Sequence, residues 1–325
     1  MRTWVSGHRV LVGVIAIVVL LLGGGAYVAW TAASQPAVTT NAPAPVSGDL
    51  MYIDIANGLD QVTTVKTAQP SGQKTVTPLK CQRYYQSGPT SVCLRLAGPG
   101  PSYEAAISKD GKEIRTVPLP GIPSRARVSA SGNVVSWTSF VTGDSYSVPG
   151  GFSTRAGVFD VRSGEVTESI EHYTATVNGR VTTAADINYW GITVASDDNT
   201  FYATLATEGS TYLVRGDLIA KTLQSVRQNA ECPSLSPDGT KVAYKKRPNQ
   251  TRPWELVVLD LAAKKEQILP GTSGIDDQAA WLNDNTLAYG AAINNQKNAI
   301  YFVPADGSAP AREVIPDAAS PVPVR

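Results

Sequence analysis

The sequence predicts an all-β protein, a six-bladed β-propeller closed by its C-terminal strand and preceded by a single N-terminal transmembrane helix. Three observations carry that expectation. A polar turn between short apolar strands recurs along the chain, 28 Gly and 22 Pro punctuate its 325 residues, and one uncharged apolar stretch lies near the amino terminus.

That stretch, Val10–Trp30, runs for 21 residues without a charge. At about 1.5 Å per residue it matches a hydrocarbon layer of about 30 Å. Arg2 and Arg9 precede it, and no Lys or Arg follows until Lys66. The positive-inside rule therefore makes residues 1–9 a cytoplasmic tip, 10–30 a signal anchor, and the rest extracytoplasmic, at the cell membrane. A cleaved signal peptide ending at Thr31-Ala32-Ala33 is the competing reading, although the apolar run exceeds the usual core of about 7–15 residues. Residues 31–48 form a Pro/Ala-rich stalk: they hold three prolines, small polar residues and no aromatic after Thr31, too little apolar surface to fold.

The repeat occupies residues 49–325. Its clearest copy is Glu231–Lys246, E-C-P-S-L-S-P-D-G-T-K-V-A-Y-K-K, where Asp238-Gly239 makes a hairpin turn before the strand Lys241–Tyr244. Equivalent turns fall at Ser87-Gly88, Ser131-Gly132, Asp197-Asp198 and Asn283-Asp284, at intervals of 44, 66, 41 and 45 residues. Blades of about 40–45 residues are what four-stranded propeller units require. Further strands are expected at Ala156–Val161, Glu165–Ile170, Trp254–Leu261, Lys265–Leu269, Ala299–Val303 and Arg312–Ile315. Leu50–Ile55 and Gln61–Lys66 begin a unit that lacks its first strand, and Ser320-Pro321-Val322 stands where that strand would be supplied. Such closure hides edges that would otherwise pair with other chains. A β-sandwich, or a seventh blade hidden in the 66-residue interval, are the alternatives; Gly143–Ser153 reads better as a loop.

The Ser-Pro-Asp-Gly turn followed by a β-branched and aromatic strand resembles the WD40-like (PD40) repeat of the TolB propeller family. The resemblance spans about residues 49–325 and implies an extracytoplasmic protein-binding scaffold. TolB carries an α/β domain before its propeller; here the stalk stands in that place, which leaves a Tol-system role open.

Composition excludes some classes. Beyond residue 48 the chain has 26 basic against 27 acidic side chains, with no basic field for nucleic acid. A Ser-His-Asp site would rest on His172, since His8 belongs to the cytoplasmic tip, and no G-x-S-x-G elbow, phosphate loop or dinucleotide fingerprint occurs. No catalytic residue is assigned and no cofactor is expected. Acids such as Asp276 and Asp277 could converge in a glycosidase-like cleft, but adjacent carboxylates more often cap turns.

Three cysteines in an exported chain favour one disulfide and one free thiol. Cys81 and Cys93 lie six residues either side of Ser87, so a hairpin turning there brings them together. Cys232 is expected as a buried structural thiol.

One register, taken relative to each turn, places Lys80, Ser124, Trp190, Glu231, Asp276 and Asp317 around one mouth of the channel. Three acids against one base suit a basic peptide or a divalent cation, and Trp190 offers a partner an apolar face. The loop Val141–Arg155 carries Tyr146 and Phe152 on a glycine-rich frame with Arg155 at its end and is a second candidate binding element. Lys245-Lys246-Arg247 reads as a solvated edge that discourages strand pairing. Two functions remain: a non-catalytic scaffold for a protein, peptide or glycan, and a propeller hydrolase or lyase acting on an extracellular polymer.

Overall fold

The computed structural model describes residues 44–325 apart from 57, 59, 99, 142–152, 250 and 293–297, together with residues 14, 15 and 17–25. The latter are helical, and among the described residues no helix is long and apolar enough to cross a membrane. The remainder of Val10–Trp30, the stalk up to residue 43, Tyr146 and Phe152 lie outside the described residues. Contacts divide the chain into Met1–Asn41 and a second unit, Ala42–Arg325.

The second unit is a ring of six sheets among the described residues. Blade 1 contains β1 (Asp49–Asp54), β2 (Gln61–Lys66) and β3 (Thr75–Lys80), and blade 2 contains β4 (Arg83–Ser87), β5 (Thr90–Leu96), β6 (Tyr103–Lys109) and β7 (Lys112–Leu119). Blade 3 is built from β8 (Ile122–Val128), β9 (Val134–Val141), β10 (Ser153–Asp160) and β11 (Val166–Thr167). A hairpin, β12 (Thr174–Val177) and β13 (Arg180–Thr182), precedes blade 4, whose strands are β14 (Asn188–Val194), β15 (Thr200–Thr207), β16 (Ser210–Asp217) and β17 (Thr222–Gln228). Blade 5 follows with β18 (Glu231–Leu235), β19 (Lys241–Lys246), β20 (Glu255–Asp260) and β21 (Glu266–Ile268), and blade 6 with β22 (Ala280–Asn283), β23 (Thr286–Ala291), β24 (Ala299–Pro304) and β25 (Arg312–Pro316). The last strand, β26 (Ala318–Pro323), returns to blade 1 and pairs antiparallel with β1, Leu50 opposite Pro323 and Met51 opposite Val322.

Successive side chains of a strand point to opposite faces, and here both faces are covered by neighbouring blades. Leu50 and Tyr52 of β1 pack with Ala288, Ile300 and Phe302 of blade 6. Met51 and Ile53, one residue out of phase, pack with Tyr84 and Cys93 of blade 2. In β19 the same division sends Val242 and Tyr244 to a cluster with Tyr202 and Leu213 of blade 4, and Ala243 to a cluster with Trp281 and Tyr289 of blade 6. At roughly 1.5–3 kcal/mol for each large apolar side chain buried, these interfaces supply the main drive for ring assembly. Gly157 serves this packing directly, because a Cβ there would stand 2.6 Å from the Trp137 ring.

The repeated turns also fasten neighbouring blades. Ser131 Oγ and Asn133 Nδ2 donate to the two oxygens of Asp198 at 2.5 and 2.9 Å, joining blades 3 and 4. Asp238 N donates to Asp284 Oδ1 at 3.0 Å, joining blades 5 and 6, and Ser87 Oγ donates to Ala130 O at 3.2 Å between blades 2 and 3.

Two expectations change in detail. The hairpin of blade 2 pairs Ser87 with Thr90, so strict register would not place Cys81 opposite Cys93. The disulfide forms nonetheless, with a Cα separation of 5.3 Å, because the chain departs from the ladder at Gln82, whose N donates to Leu94 O. Among its described residues the 66-residue interval holds no seventh blade: the β12–β13 hairpin extends blade 4 to six strands, β12 running parallel to β17. Glu165–Ile170 contributes a two-residue strand and the start of a short 3-10 turn, Ile170–His172, whose His172 is exposed.

Candidate functional site at one mouth of the ring

The inner strands of blades 3 to 5, and the segment leading into that of blade 6, bring Ser124, Trp190, Glu231 and Asp276 to one cavity of about 470 Å³. These four come from the six residues that the repeat register selects. Lys80 does not line the cavity: it ends β3, the outer strand of blade 1, and the inner strand of blade 2 begins later, at Arg83. Asp317 precedes β26 in left-handed backbone (φ 50°) and also lies outside the cavity lining.

The expected excess of acid is absent from the cavity, because Arg125, Lys245 and Arg247 line it too. Lys245 is 3 % exposed and holds its Nζ 2.5 Å from Asp276 Oδ1 and 4.0 Å from Glu231 Oε2. Arg125 donates through Nη2 to Asp276 O at 3.1 Å and stands 3.7 Å from the Asp276 carboxylate. Trp254 donates from Nε1 to Glu231 Oε1 at 3.0 Å, and its ring carries two cations, Lys245 Nζ at 4.3 Å and the Arg247 guanidinium at 3.5 Å. The run Lys245-Lys246-Arg247 is therefore not a solvated edge: Lys245 and Arg247 build the cavity, and Lys246 pairs with Glu266. The signal lay in strand phase, since Lys245 shares the face of Ala243, which packs toward blade 6 where Asp276 sits.

Local backbone shape makes this convergence possible. The β18–β19 register shifts between Glu231 and Ser234, with Cys232 in left-handed conformation at φ 52°. Gly191 faces it at φ 67°, and a Cβ on Gly191 would meet Cys232 Cα at 2.9 Å, so only glycine lets blades 4 and 5 approach this closely. Cys232 is buried and free, as expected, but it also lines the cavity beside Arg125 and Lys245, cations that its own sequence neighbourhood does not suggest.

The charges tune one another. Burial alone would raise the Asp276 carboxyl, but the Lys245 ammonium, helped by Arg125 and Arg247, outweighs it and holds the group below the usual carboxylate range. Burial pushes Lys245 down, and its neighbours Cys232, Asp276 and Glu231 more than restore it, so its pKa is raised. Behind the cavity, Arg83 donates from Nε to Ser124 O at 2.6 Å; burial, then the proximity of Arg125, lowers its pKa. Arg127 donates to Gln278 O at 2.6 Å, and the Gln278 amide donates to Pro233 O at 2.6 Å, filling space among the inner strands of blades 3, 5 and 6.

Glu231 and Asp276 face cations, and among the described residues no three His, Cys, Asp or Glu side chains gather as metal ligands. A divalent cation at this mouth therefore finds its acids already compensated. Arg155 is engaged elsewhere, donating to Glu171 Oε1 at 2.8 Å.

TolB from Acinetobacter baumannii superimposes with a TM-score of 0.62 at 15 % identity, over 87 % of this chain and 68 % of that one. The fold is that of the TolB-like six-bladed propellers. A TolB candidate from Agrobacterium tumefaciens matches this chain with a TM-score of 0.51 at 9 % identity, over 84 % of this chain and 90 % of that one. A chain from a nidogen/laminin complex matches with a TM-score of 0.53 at 11 % identity, over 84 % and 97 % of the respective chains. No protein-family model and no curated protein matches this chain by sequence.

Proposed function

We propose that this TolB-like propeller is a non-catalytic scaffold, anchored by residues 10–30 on the extracytoplasmic side of the cell membrane, that binds a protein, peptide or glycan at the mouth lined by Trp190 and Trp254. The observation that carries the reading is the cavity itself: two indoles and Phe140 around a set of mutually compensated charges. Aromatic walls supply anchoring area, and paired charges orient a ligand without opposing its desolvation one sign at a time. The disulfide between Cys81 and Cys93 supports an oxidising compartment.

The hydrolase or lyase alternative needs an acid and a base free to move protons. Glu231, Asp276 and Asp186 are the carboxylates at hand, and they are committed to Trp254, to Lys245, and to Thr207 and the Glu208 amide.

Full-length protein in native membranes, crosslinked and then solubilised, tests the reading. A partner captured by the wild type and lost from both Trp190→Ala and Trp254→Ala, with thermal melts showing all three folded, supports it. Undiminished capture by both variants overturns the mouth as the binding surface. Retention of the full chain in carbonate-washed membranes tests the anchor, and a mature N-terminus at Ser34 contradicts it.

A further inference from the structure

The polar groups of the mouth cavity are unequally occupied. Most of its carboxylate oxygens already accept: Glu231 Oε1 from Trp254, Asp276 Oδ1 from Lys245, and Asp186 Oδ1 and Oδ2 from Thr207 Oγ1 at 2.8 Å and Glu208 N at 2.7 Å. One guanidinium is left over. Among the described residues no hydrogen bond takes up the guanidinium of Arg247, which lies on the Trp254 ring, whereas Nε of Arg125, though without a hydrogen bond, faces Asp277 Oδ1 at 4.0 Å. Arg125 is 8 % exposed, lines the cavity, and is fixed through its Nη atoms to Ser124 O and Asp276 O. Arg125 is thus held in place as a fixed positive charge in the lining, and the Arg247 guanidinium is the group there with hydrogen-bonding capacity to spare.

We propose that the mouth cavity recognises the free C-terminal carboxylate of a peptide chain, seated on the Arg247 guanidinium, with Arg125 in the same lining and the terminal side chain against Trp254 and Trp190. This rests on the mouth being the binding surface, and it reverses the charge expected of the ligand from the sequence, since the acids there are compensated within the protein. A guanidinium fork matches a carboxylate in plane and spacing, and stacking on an indole fixes the fork before the ligand binds. A cavity of about 470 Å³ admits one or two residues of a chain end rather than a folded surface.

The test uses the full-length protein in detergent and three probes: acetyl-Ala-Leu with a free carboxylate, its C-terminal amide, and acetyl-Asp-Leu-amide, which carries the carboxylate on a side chain. Binding is read from tryptophan fluorescence and calorimetry. The free acid should titrate, both amides should bind at least about tenfold more weakly, and Arg247→Gln should weaken the acid about tenfold while melting as the wild type does. The Arg247 backbone contacts with Asn229 do not depend on its side chain, so that variant should keep its fold. Equal binding of acid and C-terminal amide overturns the inference while leaving the mouth as a binding surface. Binding of the side-chain acid as tight as that of the free C-terminus overturns the preference for a chain end, and failure of the free acid to bind up to its solubility limit overturns the whole proposal. Capture of the membrane partner that ignores Trp190 and Trp254, with the acid still titrating, sinks the scaffold reading instead.

Discussion

Lys245 of blade 5 holds its ammonium 2.5 Å from the Asp276 carboxylate that leads into blade 6, yet the two side chains are 3 % and 67 % exposed. That asymmetry decides which member of the pair the fold can lose. Asp276→Asn leaves a buried ammonium facing Glu231 at 4.0 Å and should cost about 3 kcal/mol. Lys245→Met leaves a carboxylate that water can reach and should cost less. Urea denaturation of both variants checks the order, and the double variant should cost less than the sum.

The same pair sets an acid limit. The folded Asp276 carboxyl lies below its unfolded value, so its contribution is complete above an ordinary carboxylate pKa of about 4 and is lost as pH falls through the lower folded value. Thermal melts from pH 6 downward should show the wild type losing stability more steeply below about pH 4 than Asp276→Asn.

Asp198 fastens blades 3 and 4 by accepting from Ser131 and Asn133, with its side chain 8 % exposed. Asp198→Ala removes both bonds and should cost about 1–2 kcal/mol, since water can reach the exposed Ser131 hydroxyl. Ser131→Ala, which leaves the Asn133 bond, should cost about half of that, and chemical denaturation separates the two.

Reduction of the Cys81–Cys93 disulfide opens a span of 12 residues and should lower stability by about 3 kcal/mol on chain-entropy grounds. Both sulfurs sit in the apolar cluster with Met51, Ile53 and Val322, so paired Ala variants should lose more than reduced wild type. Melts with and without reductant, beside the variants, measure the difference.

The ring was legible because its rules are local. Turn pairs such as Asp238-Gly239 and alternations such as Leu50 to Ile53 declare a strand and the two faces it must bury. The mouth was half legible for the same reason: a register counted from the turns finds Ser124, Trp190, Glu231 and Asp276. It misplaces Lys80 because the departure from the ladder at Gln82 delays the start of β4. Arg125 could not be read at all, since its partner Asp276 lies 151 residues away and a lone arginine in a strand gives no sign of burial. The β12–β13 hairpin escaped because strands of four and three residues carry too little periodicity to announce themselves.

Pairing of β1 with β26 imposes an order on biosynthesis. Leu50 and Met51 leave the ribosome with the first strand of the propeller, and their neighbours Pro323 and Val322 leave after all the intervening blades. Through that interval β1 lacks its inner neighbour, and joining the two closes a loop of more than 250 residues whose entropy no nearby contact defrays. Blades 2 to 6 can each complete a sheet as they are made, and blade 1 waits for β26. The nascent protein is thus most exposed to edge-to-edge association at its oldest strand, and a chaperone that shields this chain has most to do at β1.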